Sequence, residues 1–296
     1  MLYLENERLK ASIHEKGAEL CSLIGLSDGT EYVWQADPAI WGRHAPLLFP
    51  VIGRLKGKEY TIDGTPYQIT QHGFGRDMTF TAKQINAACA ELTLTQNDDT
   101  KKMYPYDFTL TIRYTLDSSS LKKEHIMHNP NSVPLYYEVG GHDGYNICLT
   151  EGETIQDTYI QFEGCNEIHP LQLDENILIT GEHDTLPLDE GRLWIDRETF
   201  RTDALMLDGL PVRRVTICSR KHGKRITVDF ADFDYVGIWS MHKPFDVPYV
   251  CIEPWSSLPD CSYLGQELEK KPGVRCIAPG GSETMTFITT ITEPEA

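Results

Sequence analysis

Apolar and polar residues alternate with a period of two through Phe108-Thr-Leu-Thr-Ile-Arg-Tyr-Thr-Leu116, whereas a 3.6-residue period is hard to find anywhere in the chain. Phe108, Leu110, Ile112, Tyr114 and Leu116 share one face of such a segment, and Thr109, Thr111, Arg113 and Thr115 share the other. Only a half-buried antiparallel strand satisfies that pattern. It recurs in Ala90–Thr95, Tyr159–Glu163, Arg214–Cys218, Arg225–Phe230 and Thr284–Thr290, with turn residues at Asp63-Gly64, Asp117–Ser120, Lys221–Gly223 and Pro279–Gly281. Strands at this spacing imply an all-β sandwich or barrel. Two segments, Pro38–Trp41 and Asp196–Ala204, are candidates for short helices. No Ser/Gly-rich linker or charge block divides the chain, so a single domain over residues 1–296 is expected, with a frayed acidic tail at Thr292–Ala296.

A net charge of −17 over 296 residues argues against nucleic acid and against anionic membrane surfaces, both of which demand a basic face. A neutral or weakly charged small ligand is easier to accommodate. Eight cysteines without a C-x-x-C pair, and an N-terminus lacking a basic head and apolar run, point to reduced thiols in a cytoplasmic protein. No apolar run approaches the length of a membrane span.

Three stretches can carry chemistry. In Tyr249-Val-Cys-Ile-Glu-Pro-Trp-Ser-Ser-Leu-Pro-Asp260 a strand is expected to stop at Pro254, which has no N–H to give, placing Glu253 at the strand's end. A carboxylate held there beside an indole has the makings of a general base; a solvated glutamate at a strand exit is the other reading. In Tyr136-Tyr-Glu-Val-Gly-Gly-His-Asp-Gly-Tyr-Asn146 a strand-like run ends at Gly140-Gly141, and His142 follows as either a proton donor or a turn histidine. In the third region, Phe49–Lys56 and Thr70–Asp77, Arg54 could donate to a ligand hydroxyl, ring oxygen or phosphate, and His72 sits in a Gly-flanked loop. Residues 41–83 hold six Lys/Arg (Arg43, Arg54, Lys56, Lys58, Arg76, Lys83) against Glu59, Asp63 and Asp77, a local reversal of the chain's acidity. Trp239 lies shortly before the Glu253 strand and offers an aromatic face of the kind that packs on sugar rings.

Other matches fail on context. Gly25-Leu-Ser-Asp-Gly29 spells a nucleophile elbow but opens no helix, so a turn is expected. His125 and His128 are three apart, which on a strand puts them on opposite faces and makes a shared metal an unattractive reading. No phosphate or dinucleotide fingerprint is present, and no cofactor or metal is called for.

Taken together these residues resemble the aldose 1-epimerase (galactose mutarotase) family, most closely its LacX-like branch. The resemblance is carried by Gly17-Ala-Glu-Leu20, Tyr32-Val-Trp-Gln35, Phe49–Arg54, His72-Gly-Phe74, Val139-Gly-Gly-His142, Asp203-Ala-Leu205, Gly237-Ile-Trp-Ser240 and Cys251-Ile-Glu-Pro-Trp255, in that order along nearly the whole chain. It implies a large antiparallel β-supersandwich with few short helices, and cofactor-free interconversion of the α and β anomers of a glucose- or galactose-like monosaccharide by a monomer or homodimer. By the same resemblance Glu253 is the base for the C1 hydroxyl, and His142 is the acid for the ring oxygen. His72 and Arg54 bind near that oxygen, while Asp203 and Trp239 hold hydroxyls or the ring. An ionised Glu253 paired with a protonated His142 is then expected near neutral pH. Family members usually carry Pro after this His and Phe where Tyr145 stands; here Asp143 follows, either raising the His142 pKa or pointing into solvent. Two alternatives stand beside a free-hexose epimerase. One is a hexose-6-phosphate 1-epimerase, suggested by the cationic surplus and by His72-Gly-Phe-Gly-Arg76. The other is a non-catalytic sugar-binding module.

Overall fold

The computed structural model describes all residues except Arg197, Pro244, Phe245, Glu295 and Ala296. The alternating segments lie side by side in one nine-stranded antiparallel sheet, ordered Arg192–Trp194, Thr158–Phe162, Arg214–Ser219, Arg225–Asp229, Ser282–Thr292, Ser120–His128, Thr109–Asp117, Cys89–Thr95 and Thr81–Asn86. Its register follows the alternation: Leu110, Ile112, Tyr114 and Leu116 face inward and stand opposite Met127, His125, Lys123 and Leu121. Each fully buried Leu or Ile in that row contributes about 1.5–3 kcal/mol, which a one-residue slip would forfeit by turning the row to solvent. His125 is buried and His128 faces outward, as their spacing requires.

A second sheet covers the inner face. Its order is Leu205–Asp208, Tyr235–Trp239, Tyr249–Trp255, Gly140–Gly141 and Leu47–Leu48, with Asp143–Asn146 pairing further along Tyr249–Trp255. The Tyr145 hydroxyl meets the Thr289 hydroxyl at 2.7 Å across the gap between sheets. Gly141 leaves room for Phe287, whose ring would lie 2.9 Å from a Cβ there. One apolar cluster reaches from Leu4 to Ile291 and takes in the N-terminal three-stranded sheet of Leu2–Glu5, Leu9–Ile13 and Leu20–Gly25. The architecture is a large antiparallel β-supersandwich. Among the described residues no helix is long and apolar enough to cross a membrane, and all eight cysteines are free thiols.

Several local expectations give way. Pro38–Ile40 is a turn, and the described part of Asp196–Ala204 forms turns and bends; among the described residues the α-helix is instead Asp98–Met103. Asn97 caps it by accepting from the Asp99 and Thr100 amides, while the Thr100 hydroxyl accepts from the Asn97 N–H. Six residues are too few to display a helical period. Thr292 is paired with Arg225 in the large sheet rather than frayed; Glu295 and Ala296 lie outside the described residues. Most consequentially, the strand carrying Glu253 does not stop at Pro254 but continues to Trp255. Its pairing to Gly140–Gly141 and Asp143–Asn146 lapses between Ile252 and Trp255, so the missing N–H of Pro254 falls where no partner demands one.

Candidate active site

That continuation brings the site together. Asp143 pairs with Ile252 and Gly140 with Trp255, so the intervening register sets His142 opposite Glu253 on the neighbouring strand. His142 Nε2 lies 3.3 Å from Glu253 Oε2, and Glu253 is 1% exposed in the strand interior rather than at a solvated exit. His142, likewise, is buried between two strands and is not a turn residue.

Two interlocked loops add the remaining donors. Gly73 has φ +70°, and a Cβ there would lie 2.1 Å from the Phe49 carbonyl oxygen, so only glycine lets the Thr70–Asp77 loop press against the Phe49–Lys56 loop. His72 itself sits at φ +64°, a left-handed state that a non-glycine residue occupies only when its surroundings hold it. The hold is visible: the His72 amide donates to the Gly53 carbonyl at 3.0 Å, and the Gly53 amide donates to His72 Nδ1 at 3.2 Å. This leaves the hydrogen of the neutral imidazole on Nε2, which lies 3.1 Å from the side-chain amide of Gln71, another residue of the cavity lining. Arg54 follows Gly53, half-exposed, with its guanidinium 3.6 Å from Asp203.

Aromatic rings close the site. Trp41 stacks on His142 at 5.1 Å, Trp239 meets it edge-on at 5.7 Å, and Tyr249 stacks on Trp41 at 5.4 Å. All six residues expected from the sequence, Glu253, His142, Arg54, His72, Asp203 and Trp239, line one cavity of about 390 Å³, within the range of small-molecule sites. Trp41, Arg43, Arg76, Arg201, His242 and Trp255 line it too. Arg43 and Arg76 belong to the cationic surplus read from the sequence; nothing in the sequence marks His242. Lys56, Lys58 and Lys83, from the same surplus, are not in the lining.

Burial dominates the electrostatics. It pushes His142 down to about 3, with Arg76 and Arg43 adding to the effect. Glu253 is driven well above its ordinary value by burial and then by the Asp203 carboxylate, against the pull of the Trp255 indole N–H. Both shifts favour the uncharged forms, a carboxylic acid beside a neutral imidazole, over the ion pair expected from the sequence, because a low-dielectric site disfavours both charges. Burial, followed by the charges of His142, Arg76, Arg43 and Arg54, also holds His72 well below its usual range.

Asp143 does neither of the things anticipated for it. Successive strand residues face opposite ways, so it turns from His142 into the core and meets Lys123 Nζ at 3.0 Å, both side chains being 2% exposed. One group among the described residues could hold a metal: His142, Cys251 and Glu253 place ligand atoms within 4.8 Å of one another. Burial drives the Cys251 thiol well above its ordinary value, which disfavours the thiolate a metal would need, and the other two groups are already engaged with each other.

A supersandwich bearing this His–Glu pair in an aromatic, guanidinium-lined cavity is of the galactose mutarotase-like class. The sequence pattern of the aldose 1-epimerase family matches residues 1–271, and the chain belongs to that family. It is 33% identical over 299 residues to the chromosomal LacX protein of Lactococcus lactis subsp. lactis, covering 97% of this chain and 98% of that one. A galactose mutarotase related enzyme from Lactobacillus acidophilus superposes with a TM-score of 0.92 at 31% identity, over 99% of this chain and 97% of the other. A galactose mutarotase-like protein from Lactobacillus casei ATCC 334 does so with a TM-score of 0.90 at 28% identity, over 99% and 100%.

Proposed function

We propose that the protein is an aldose 1-epimerase that interconverts the α and β anomers of a free aldohexose. The observation that carries this is the His142–Glu253 pair, 3.3 Å apart at a cavity that fits a monosaccharide. Ring opening needs a base at the C1 hydroxyl and an acid at the ring oxygen. Burial leaves the shared proton on the carboxyl, and moving it to Nε2 creates Glu253 carboxylate and His142 imidazolium with no change of net charge. Glu253 then takes the O1 proton, C1=O1 forms, the C1–O5 bond breaks, and O5 receives the proton from His142. The pair left behind is the uncharged one that burial favours. Rotation about C1–C2 turns the other carbonyl face to O5, and the same transfers run backwards close the opposite anomer. His72 Nε2–H and Arg54 donate to the sugar near the ring oxygen, Asp203 accepts from a hydroxyl, and Trp239 flanks the ring, roles that follow by analogy with the family.

Fresh α-glucose or α-galactose should lose its excess optical rotation faster with the protein than without it, and Glu253→Gln and His142→Asn should each remove most of the effect. Only the spontaneous rate across a panel of sugars and sugar phosphates would end the enzyme reading. One observation favours a second substrate, a hexose 6-phosphate: Arg43, Arg54, Arg76 and Arg201 surround the cavity in a chain of net charge −17, and the buried Arg76 Nε has no hydrogen-bond partner among the described residues. Competition between glucose and glucose 6-phosphate decides between the two.

A further inference from the structure

Behind the cavity lies a buried cluster of charges that takes no part in the proton exchange. Lys271, 6% exposed, reaches Glu138 Oε1 at 2.9 Å and Asp260 Oδ1 at 3.2 Å, and neither carboxylate is more than 4% exposed. Three charges of this kind are removed from water only when their lone pairs and protons find other partners, so the identity of those partners is informative. Glu138 Oε2 accepts from the Ile52 amide at 2.6 Å, and Asp260 Oδ2 accepts from the Lys56 amide at 2.8 Å. The Asp260 amide in turn donates to the Arg54 carbonyl at 3.1 Å, and the Glu138 amide donates to the Pro50 carbonyl at 2.9 Å. Ser257 completes Glu138 by donating to Oε1 at 2.7 Å.

The two carboxylates thus grip opposite ends of the segment 52–56, and the ammonium of Lys271 ties them together. That segment contains Arg54 and also Gly53, whose amide and carbonyl both hold His72 in its left-handed conformation. Arg54 and His72 lie in loops outside any regular strand, whereas His142 and Glu253 are set by the register of the second sheet. The geometry points to Lys271, Glu138 and Asp260 as positioning residues that orient the sugar-binding loop, acting on substrate affinity and leaving the acid–base pair in place.

This rests on the epimerase reading for its kinetic consequence but not for its structural one. In Lys271→Met the KM for the hexose should rise about tenfold while kcat falls less than threefold and both limbs of the pH profile stay where they are; Lys271→Arg, which restores the cation, should recover most of the KM. Independently of any activity, amide hydrogen exchange should show Ile52 and Lys56 losing protection by about a hundredfold more than the nine-stranded sheet does in Lys271→Met. If Lys271→Met does not fold, Asp260→Asn tests the same link at Lys56 alone. Unaltered exchange at both amides, or a fall in kcat at constant KM, overturns the proposal. A wild type that is inactive but whose exchange responds as described would sink the epimerase reading and leave the clamp standing.

Discussion

Replacing Glu253 by Gln tests the chemistry and the energetics of the site together. The amide keeps the shape of the side chain and can still reach His142 Nε2 across 3.3 Å, but it takes no proton from O1. A positioned general base is worth about 10²–10⁴-fold, and at about 1.4 kcal/mol per decade the loss corresponds to about 3–5 kcal/mol of transition-state stabilisation. Stability should move the other way. Because burial raises the Glu253 pKa well above 4.5, the folded state holds a proton that the unfolded chain has released. Wild-type stability is accordingly undiminished below about pH 4.5 and falls as the pH rises from there through the raised folded value, whereas Glu253→Gln escapes this loss. The variant should thus gain stability at neutral pH, and the gap should widen as the pH rises toward the raised folded value. Polarimetry on fresh α-glucose and thermal unfolding at pH 5, 7 and 8.5 measure both. Activity within tenfold of wild type would refute the assignment of the base, and a stability gap that narrows as the pH rises would refute the electrostatics.

The pH–rate profile should be bell-shaped, with its acid limb well below 6.5, because His142 at about 3 keeps the one-proton pair intact through mildly acidic conditions; a limb centred near 6.5, read by NMR of anomer exchange, would contradict the buried, uncharged pair. Trp41→Ala uncovers the face of His142 on which the indole stacks at 5.1 Å, so the imidazole pKa should climb toward 6.5 and carry the acid limb with it, a shift that histidine NMR titration checks. Lys123→Met should destabilise by about 3–5 kcal/mol by stranding Asp143 in the core, and Lys123→Met/Asp143→Leu should recover most of it; urea unfolding of the single and double variants measures the difference.

Strand content was legible wherever one face is buried over several residues, since alternation in Thr109–Asp117 and its neighbours is the direct imprint of a two-sided environment. It was illegible in Leu47–Leu48 and Gly140–Gly141, where two residues carry no period, yet the second of these aligns His142 with Glu253. The helix at Asp98–Met103 escaped the sequence reading because six residues show no repeating pattern, and its Asn97–Thr100 cap was recognised only in the structure. Trp41 and Arg76 enter the site from segments whose composition hinted at a ligand without saying which side chains would face it. Asp143 was visible as a departure from the family's usual residues, and its partner was not: Lys123 lies twenty positions away on the other sheet.

The sequence alone determined the all-β architecture, the order of the family's motifs and the side-chain inventory of the proposed acid–base site, because these depend on residue type and on contacts between near neighbours in the chain. Tertiary structure decided that the strand runs on through Pro254, that His142 and Glu253 meet at one site whose burial favours their uncharged forms, and that Asp143 turns inward. Those outcomes depend on which strands pair, in what register, and how much water the second sheet excludes, and such long-range facts leave no local periodicity to read.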